Sequence, residues 1–166
     1  MRESTVEIVD LASQALALYN EPEVPSYLPA QDPTPHYVHA HTRAWSALVR
    51  RYDAFVFVTP QYNRSIPAVL KNALDYLYHE WAGKPAGIVS YGGHGGGKAS
   101  EHLRGILAGL RMRPTATTVA LKVSPKTAIE ECEREGQVTP AMCKTWMEEG
   151  EEQKIHIMVS ELLQLT

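Results

Sequence analysis

Residues 54–77 read AFVFVTPQYNRSIPAVLKNALDYL, and the order of chemistry along them decides the fold. Residues 54–59 are a nearly unbroken run of apolar, aromatic and β-branched side chains, the pattern of a strand buried on both faces of a parallel sheet. A polar loop follows, from Pro60 to Ile66. Pro67 then suits the first turn of a helix running to about His79, because its missing N–H would have no partner there anyway. Leu70, Leu74, Leu77 and Trp81 fall on one face of that helix. Strand, loop and helix in that order form the repeating unit of an α/β sheet.

The unit recurs on both sides. Downstream, residues 86–91 form a second apolar strand, GGHGGG over residues 92–97 a glycine-rich turn, and residues 98–110 a helix. Residues 117–123 read as a last strand, and polar, acidic sequence leads to a C-terminal helix over residues 155–165. Upstream, residues 5–11 alternate as TVEIVDL and predict a first strand. Pro22, Pro25, Pro29, Pro33 and Pro35 make residues 20–35 a long irregular loop. Residues 36–51 carry Val38, Trp45, Leu48 and Val49 at helical spacing, with Arg50 and Arg51 suited to a helix C-terminus. Open parallel sheets bind ligands at the carboxyl ends of their strands. That rule directs attention to two loops, residues 60–66 and residues 92–97.

With 166 residues, 18.5 kDa and 44% hydrophobic side chains, the chain is expected to fold as a single domain over residues 1–166. A formal net charge of −3 and scattered basic residues give no footprint for nucleic acid or an anionic membrane surface. Cys132 and Cys143 are the two cysteines, and their spacing matches neither a zinc site nor a redox dithiol. No run is long and apolar enough to span a bilayer, and the opening MRESTVEIVDLASQAL lacks the hydrophobic stretch of a signal peptide. A cytoplasmic location is the expectation.

GGHGGGKAS admits three chemistries. Gly92-x-x-x-x-Gly97-Lys98 matches most of a P-loop, but Ala99 stands where the magnesium-binding hydroxyl belongs. His94-Gly95-Gly96-Gly97 spells an oxyanion-hole tetrad, yet no serine sits on the G-x-S-x-G elbow that such a hole serves. The third is a backbone platform, in which glycines let the main chain approach a flat ligand and aim N–H groups at its edge. His36, His39 and His41 lack an i, i+4 pair on one helix face and read as a solvated helix start.

Taken together, AFVFVTPQYNRSIPAVLKNALDYL and the following W-x-GKPAGIVSYGGHGGG resemble the NADPH-dependent FMN reductase family, which includes quinone reductases and azoreductases. The resemblance runs over roughly residues 6–121. It implies a flavodoxin-like parallel sheet with helices on both faces, a three-layer α/β/α sandwich binding FMN at its carboxyl edge, in homodimers that can pair into homotetramers. It also implies that Pro60, Gln61, Tyr62, Asn63, Arg64 and Ser65 contact one side of the flavin ring, and that Ser90, Tyr91, Gly92 and Gly93 contact the other. The implied activity is an oxidoreductase in which NADPH or NADH passes hydride through FMN to a small-molecule electron acceptor: a quinone, an azo compound or a flavin. No side chain need act as nucleophile or base, since the flavin carries the reaction. Two features depart from the family pattern. Gln61 stands where glutamate is common, and the apolar strand and phosphate loop that open family members have no counterpart upstream of residue 6, so the sheet is expected to be incomplete at its N-terminus. That leaves a second role open, a shortened, non-catalytic binding or assembly subunit.

Overall fold

The computed structural model describes residues 4–166. Its centre is β2 (Pro85–Gly92), whose residues from Pro85 to Ser90 are all buried. On one side β2 pairs in parallel with β1 (Phe55–Pro60), in a register running from Phe55 opposite Ala86 to Pro60 opposite Tyr91. On the other side it pairs in parallel first with the two-residue β3 (Arg113–Pro114) and then with β4 (Val119–Lys122). All three pairings are parallel, as the alternation of apolar runs and helical segments predicts.

Three helices share the larger hydrophobic core: α1 (Ala40–Arg50), α2 (Ala68–Asp75) and α3 (Gly97–Gly109). Trp45 and Val49 of α1, Leu70 and Leu74 of α2, and Leu103 and Leu107 of α3 meet Ala86 and Ile88 of β2 there. Trp81 is the hub, with its ring centroid 5.1 Å from Phe55, 6.1 Å from Trp45 and 6.2 Å from Phe57. Its indole N–H donates to the carbonyl of Leu74, and that of Trp45 to the carbonyl of Ala73, so neither buried ring carries an orphan donor. The opposite face of the sheet is covered by α6 (Glu151–Leu165). Its Met158 lies so close over Gly87 that a Cβ there would come within 2.9 Å of the thioether sulfur. Val89, Val119 and Met158 form this second, smaller core. Before α6 come α4 (Lys126–Glu135) and α5 (Pro140–Glu148), and α5 packs on α6. The result is the layered α/β/α arrangement expected from the sequence.

Several expectations are corrected. Residues 5–11 are not a strand: Val6 and Ile8 are 93% and 91% exposed, while Val9 and Leu11 lean on the core. Their alternation is real, but a strand also needs a neighbour for its backbone groups, and none of the described strands pairs with them. β1 is covered on one face only. Phe55 and Phe57 point into the aromatic core, whereas Val58 on the other face is 64% exposed, because α6 lies over β2 and β4. Helix α1 begins at Ala40, four residues later than the apolar spacing suggests; Thr34–His36 instead form a 3-10 turn, and Val38 is exposed. Glu21, from the Pro-rich loop, accepts the N–H groups of Val38 and His39 at 2.8 and 3.0 Å, which ties the loop to the start of α1. Helix α2 ends at Asp75, and Leu77 and Trp81 reach the core from the turn beyond it. The last expected strand, residues 117–123, is shortened to β4, the two-residue β3 before it was not expected, and α4 and α5 occupy the stretch read as merely polar.

A buried polar knot braces the same side. The Glu80 carboxylate accepts the Ser46 hydroxyl at 2.6 Å, the Tyr37 hydroxyl at 3.0 Å and the Tyr78 N–H at 3.2 Å. Burial, reinforced by Glu80, raises the Tyr37 phenol far above its ordinary range, so Tyr37 serves only as a donor.

The connection from β2 to α3 is tight. Gly95 and Gly96 have φ of 79° and 74°, and a Cβ on Gly96 would lie 2.8 Å from the Tyr91 carbonyl oxygen and 2.9 Å from its nitrogen. Gly96→Ala is therefore expected to cost about 2 kcal/mol or more in denaturant unfolding, combining left-handed strain with backbone overlap. Gly97→Ala, where a Cβ meets nothing within 4 Å, should be neutral or slightly stabilising. Glu80→Ala should cost roughly 2–4 kcal/mol in the same assay, because it removes the acceptor of the buried Tyr37 hydroxyl and two further hydrogen bonds, from Ser46 and Tyr78.

Candidate functional site

The register of β1 on β2 ends both strands at one level and sets their following loops side by side. Gln61, just past β1, donates its backbone N–H to the carbonyl of Tyr91 at 2.9 Å, which extends the ladder beyond the last paired residues. The chain then reverses within four residues. Tyr62 and Ser65 exchange both backbone hydrogen bonds at 2.9 Å, with Asn63 and Arg64 between them at φ of 48° and 66°. Positive φ at both central residues is the geometry of a type I′ turn. Asparagine tolerates it well; for arginine it is uncommon. The turn holds Tyr62 out from the sheet edge, 62% exposed.

The glycine-rich loop is anchored from beneath. Ser90 is fully buried, and its hydroxyl donates to the carbonyl of Gly95 at 2.8 Å. The carbonyl of Gly92 accepts the N–H of Gly95 at 3.0 Å and that of Val123 at 3.0 Å, so the loop is fastened to the end of β4 as well. Gly93 sits at the rim with open space where a side chain would be. Tyr91 is half-buried, and burial raises its phenol, with Tyr62 adding to the effect.

Between the two loops lies a cleft of about 460 Å³ lined by Gln61, Arg64, His94, Gly97, Lys98 and Glu101. Lys98 pairs with Glu101 at 2.9 Å, and that hydrogen bond holds the Glu101 carboxyl below its usual range. The Gln61 side-chain carbonyl accepts the backbone N–H of Lys98 at 2.9 Å and that of Ala99 at 3.3 Å. Behind the turn, the Ser65 hydroxyl lies 2.5 Å from His102 Nδ1.

The ten sequence-named residues lie on two adjoining segments at the ends of β1 and β2, but only Gln61 and Arg64 of them line the cleft, and Ser90 lies beneath as a fastener whose hydroxyl is already committed. Sequence reasoning weighed His94 and Lys98 only in the oxyanion-hole and P-loop readings, and did not place Glu101 or His102 at the site. A signal for three of them was present: positions 98, 101 and 102 share a face of the helix that leaves the glycine-rich turn. The rim suits a flat, partly apolar ligand. It offers an exposed aromatic ring, open space above Gly93 and Gly97, and main chain close to the surface on both sides.

Comparison with known proteins bears on the family and the fold. The sequence profile of the NADPH-dependent FMN reductase family matches residues 1–126. The NAD(P)H-dependent FMN reductase LOT6 of Saccharomyces cerevisiae is 50% identical over 109 residues, which are 64% of this chain and 56% of that protein. The NAD(P)H-dependent FMN reductase C4B3.06c of Schizosaccharomyces pombe is 46% identical over 136 residues, 82% of this chain and 63% of that protein. The chain therefore spans less than two thirds of the length of these two relatives. The NAD(P)H-dependent FMN reductase ntnL of a Nectria species is 34% identical over 161 residues, 96% of this chain and 79% of that protein. Among solved structures, the flavoenzyme FerB of Paracoccus denitrificans superposes with a TM-score of 0.60 at 22% identity, over 91% of this chain and 79% of that one, which makes the fold flavodoxin-like. Sequence profile and relatives agree, and the chain belongs to the NADPH-dependent FMN reductase family.

Proposed function

We propose that this protein is an FMN-dependent NAD(P)H oxidoreductase that reduces a small acceptor such as a quinone, an azo compound or a free flavin. The observation that carries the reading is the pair of loops at the carboxyl ends of adjacent parallel strands, joined through the Gln61 N–H to Tyr91 carbonyl bond. FMN, when bound, supplies the hydride chemistry, accepting from the nicotinamide and donating to the acceptor.

The chain's own residues position and shield. Tyr62 lays an aromatic face along the rim, and Pro60, Asn63, Arg64 and Ser65 shape the turn that carries it. Tyr91, Gly92 and Gly93 line the other side mainly with backbone, while Ser90 holds that backbone in place from below. The cleft beside the rim, lined by Arg64, His94 and the Lys98–Glu101 pair, offers charged and hydrogen-bonding groups to NADPH or NADH. Several relatives bear names that fit a small aromatic acceptor; the quinone reductase of Pseudomonas putida strain KT2440, for example, is 46% identical over 71 residues. We further infer a cytoplasmic enzyme acting as a homodimer or homotetramer. A second reading, a non-catalytic binding or assembly subunit, is favoured by the open apolar face at Val56 and Val58.

FMN titration by flavin fluorescence, followed by NADPH and NADH oxidation with added benzoquinone, tests the reading on the full chain. Saturable binding and acceptor-dependent turnover are expected. Tyr62→Ala, at an exposed position, should leave the unfolding midpoint unchanged but weaken FMN binding roughly three- to tenfold through loss of ring contact. A chain that binds no FMN and consumes no NAD(P)H with FMN supplied would leave the subunit reading in its place.

A further inference from the structure

Gly96 presents a difficulty that the fold resolves elsewhere. As the residue preceding α3 it occupies the N-cap, where serine, threonine, asparagine or aspartate ordinarily accepts an N–H of the first turn. None of those can stand there: the backbone is left-handed, and any Cβ would come within 2.8–3.0 Å of Tyr91 and Ser90. The contact that lets the glycine-rich loop lie flat on β2 therefore removes the helix's own cap.

The missing acceptor comes from the other loop. Gln61 Oε1 takes the Lys98 N–H at 2.9 Å, and shares the Ala99 N–H, at 3.3 Å, with the carbonyl of Gly96 at 3.0 Å. Two donors converging on one side-chain atom identify it as the carbonyl oxygen. The same residue donates its backbone N–H to Tyr91, and its Cβ lies 3.7 Å from the place a side chain on Gly92 would take. One residue thus touches the end of β2, the start of the glycine-rich loop and the first turn of α3.

We infer that Gln61 is a positioning residue: its side chain caps α3 from a distance and fixes the spacing between the 62–65 turn and the 92–97 loop, so that it acts on a bound flavin through those loops and not by touching it. This rests on the flavin reading given above. The position then requires an acceptor oxygen of the right reach, and nothing of the nitrogen. A carboxylate would serve as well as an amide, and at a helix N-terminus its charge would be favourable. A shorter side chain would free the Lys98 N–H and leave the Gln61–Tyr91 backbone bond and the Ser65–His102 contact as the ties between the turn and the β2–α3 segment.

Gln61→Ala and Gln61→Glu in the full chain, each measured for amide hydrogen exchange and for FMN affinity by fluorescence, test the inference. Gln61→Ala should speed exchange at Lys98 roughly tenfold relative to amides in the middle of α3, as expected for loss of a cap, and weaken FMN binding alongside. Gln61→Glu should restore both. Unchanged exchange at Lys98 in Gln61→Ala would show that there is no clamp. Protection kept but FMN affinity lost in Gln61→Glu would show that the amide nitrogen contacts the ligand, and would also overturn the inference. A parent chain that binds no FMN would instead remove the flavin reading, while the exchange measurement still decides whether Gln61 caps α3.

Discussion

The site depends on the register of one strand pair. Parallel pairing of Phe55 with Ala86 through Pro60 with Tyr91 ends the two strands together, and both following loops are built on that common level. A slip of one residue would turn Phe55 and Phe57 out of the aromatic core and send Val56 and Val58 into it. The register is therefore held by the packing of Phe55 and Phe57 around Trp81, and those same contacts determine where Gln61 emerges beside Tyr91. Core packing and site geometry are here one constraint.

A division of labour between the two faces of the sheet follows. The face carrying α1, α2 and α3 is dense, aromatic and braced by the Glu80 hydrogen bonds, and it supplies rigidity beneath the loops. The face under α6 is covered over β2 and β4, with Val56 and Val58 of β1 left open. Residues 5–11 pair with none of the described strands, and Val6 and Ile8 are exposed. Exposed β-branched residues on a strand without a ladder on one edge are what a sheet presents where further chain or a partner can be added.

The two loops are complementary in a strict sense. The glycine-rich loop gives up side chains so that backbone can lie against backbone at Gly95 and Gly96, and it thereby loses the means to cap its own helix. The 61–65 segment keeps its side chains and supplies that cap, while its turn bears positive φ at Asn63 and Arg64. The glycine-rich loop takes positive φ without strain, whereas the 62–65 turn holds Asn63 and Arg64 there through its own Tyr62–Ser65 bonds.

Much of this was legible beforehand, and the limits have physical causes. The apolar run, polar loop and helix of residues 54–77 are local patterns, so β1, β2, α2 and α3 and the two rim loops could be read from side-chain order, and the paired motifs carried the family. Residues 5–11 could not be read correctly, because alternation reports a chain suited to be a strand, whereas pairing depends on a neighbour distant in sequence. The exposure of Val56 and Val58 was hidden for the same reason: an apolar residue looks identical in sequence whether or not a helix covers it. The Gln61 cap, 37 residues from the Lys98 N–H that it accepts, has no local signature at all. The amino-acid sequence by itself determined β1, β2, α2, α3, the glycines and the family, since these rest on propensity and on steric limits within a few residues. Which faces are covered, which side chain caps which helix, and how the two loops form one rim were decided only by the tertiary structure, because each depends on groups brought together from far along the chain.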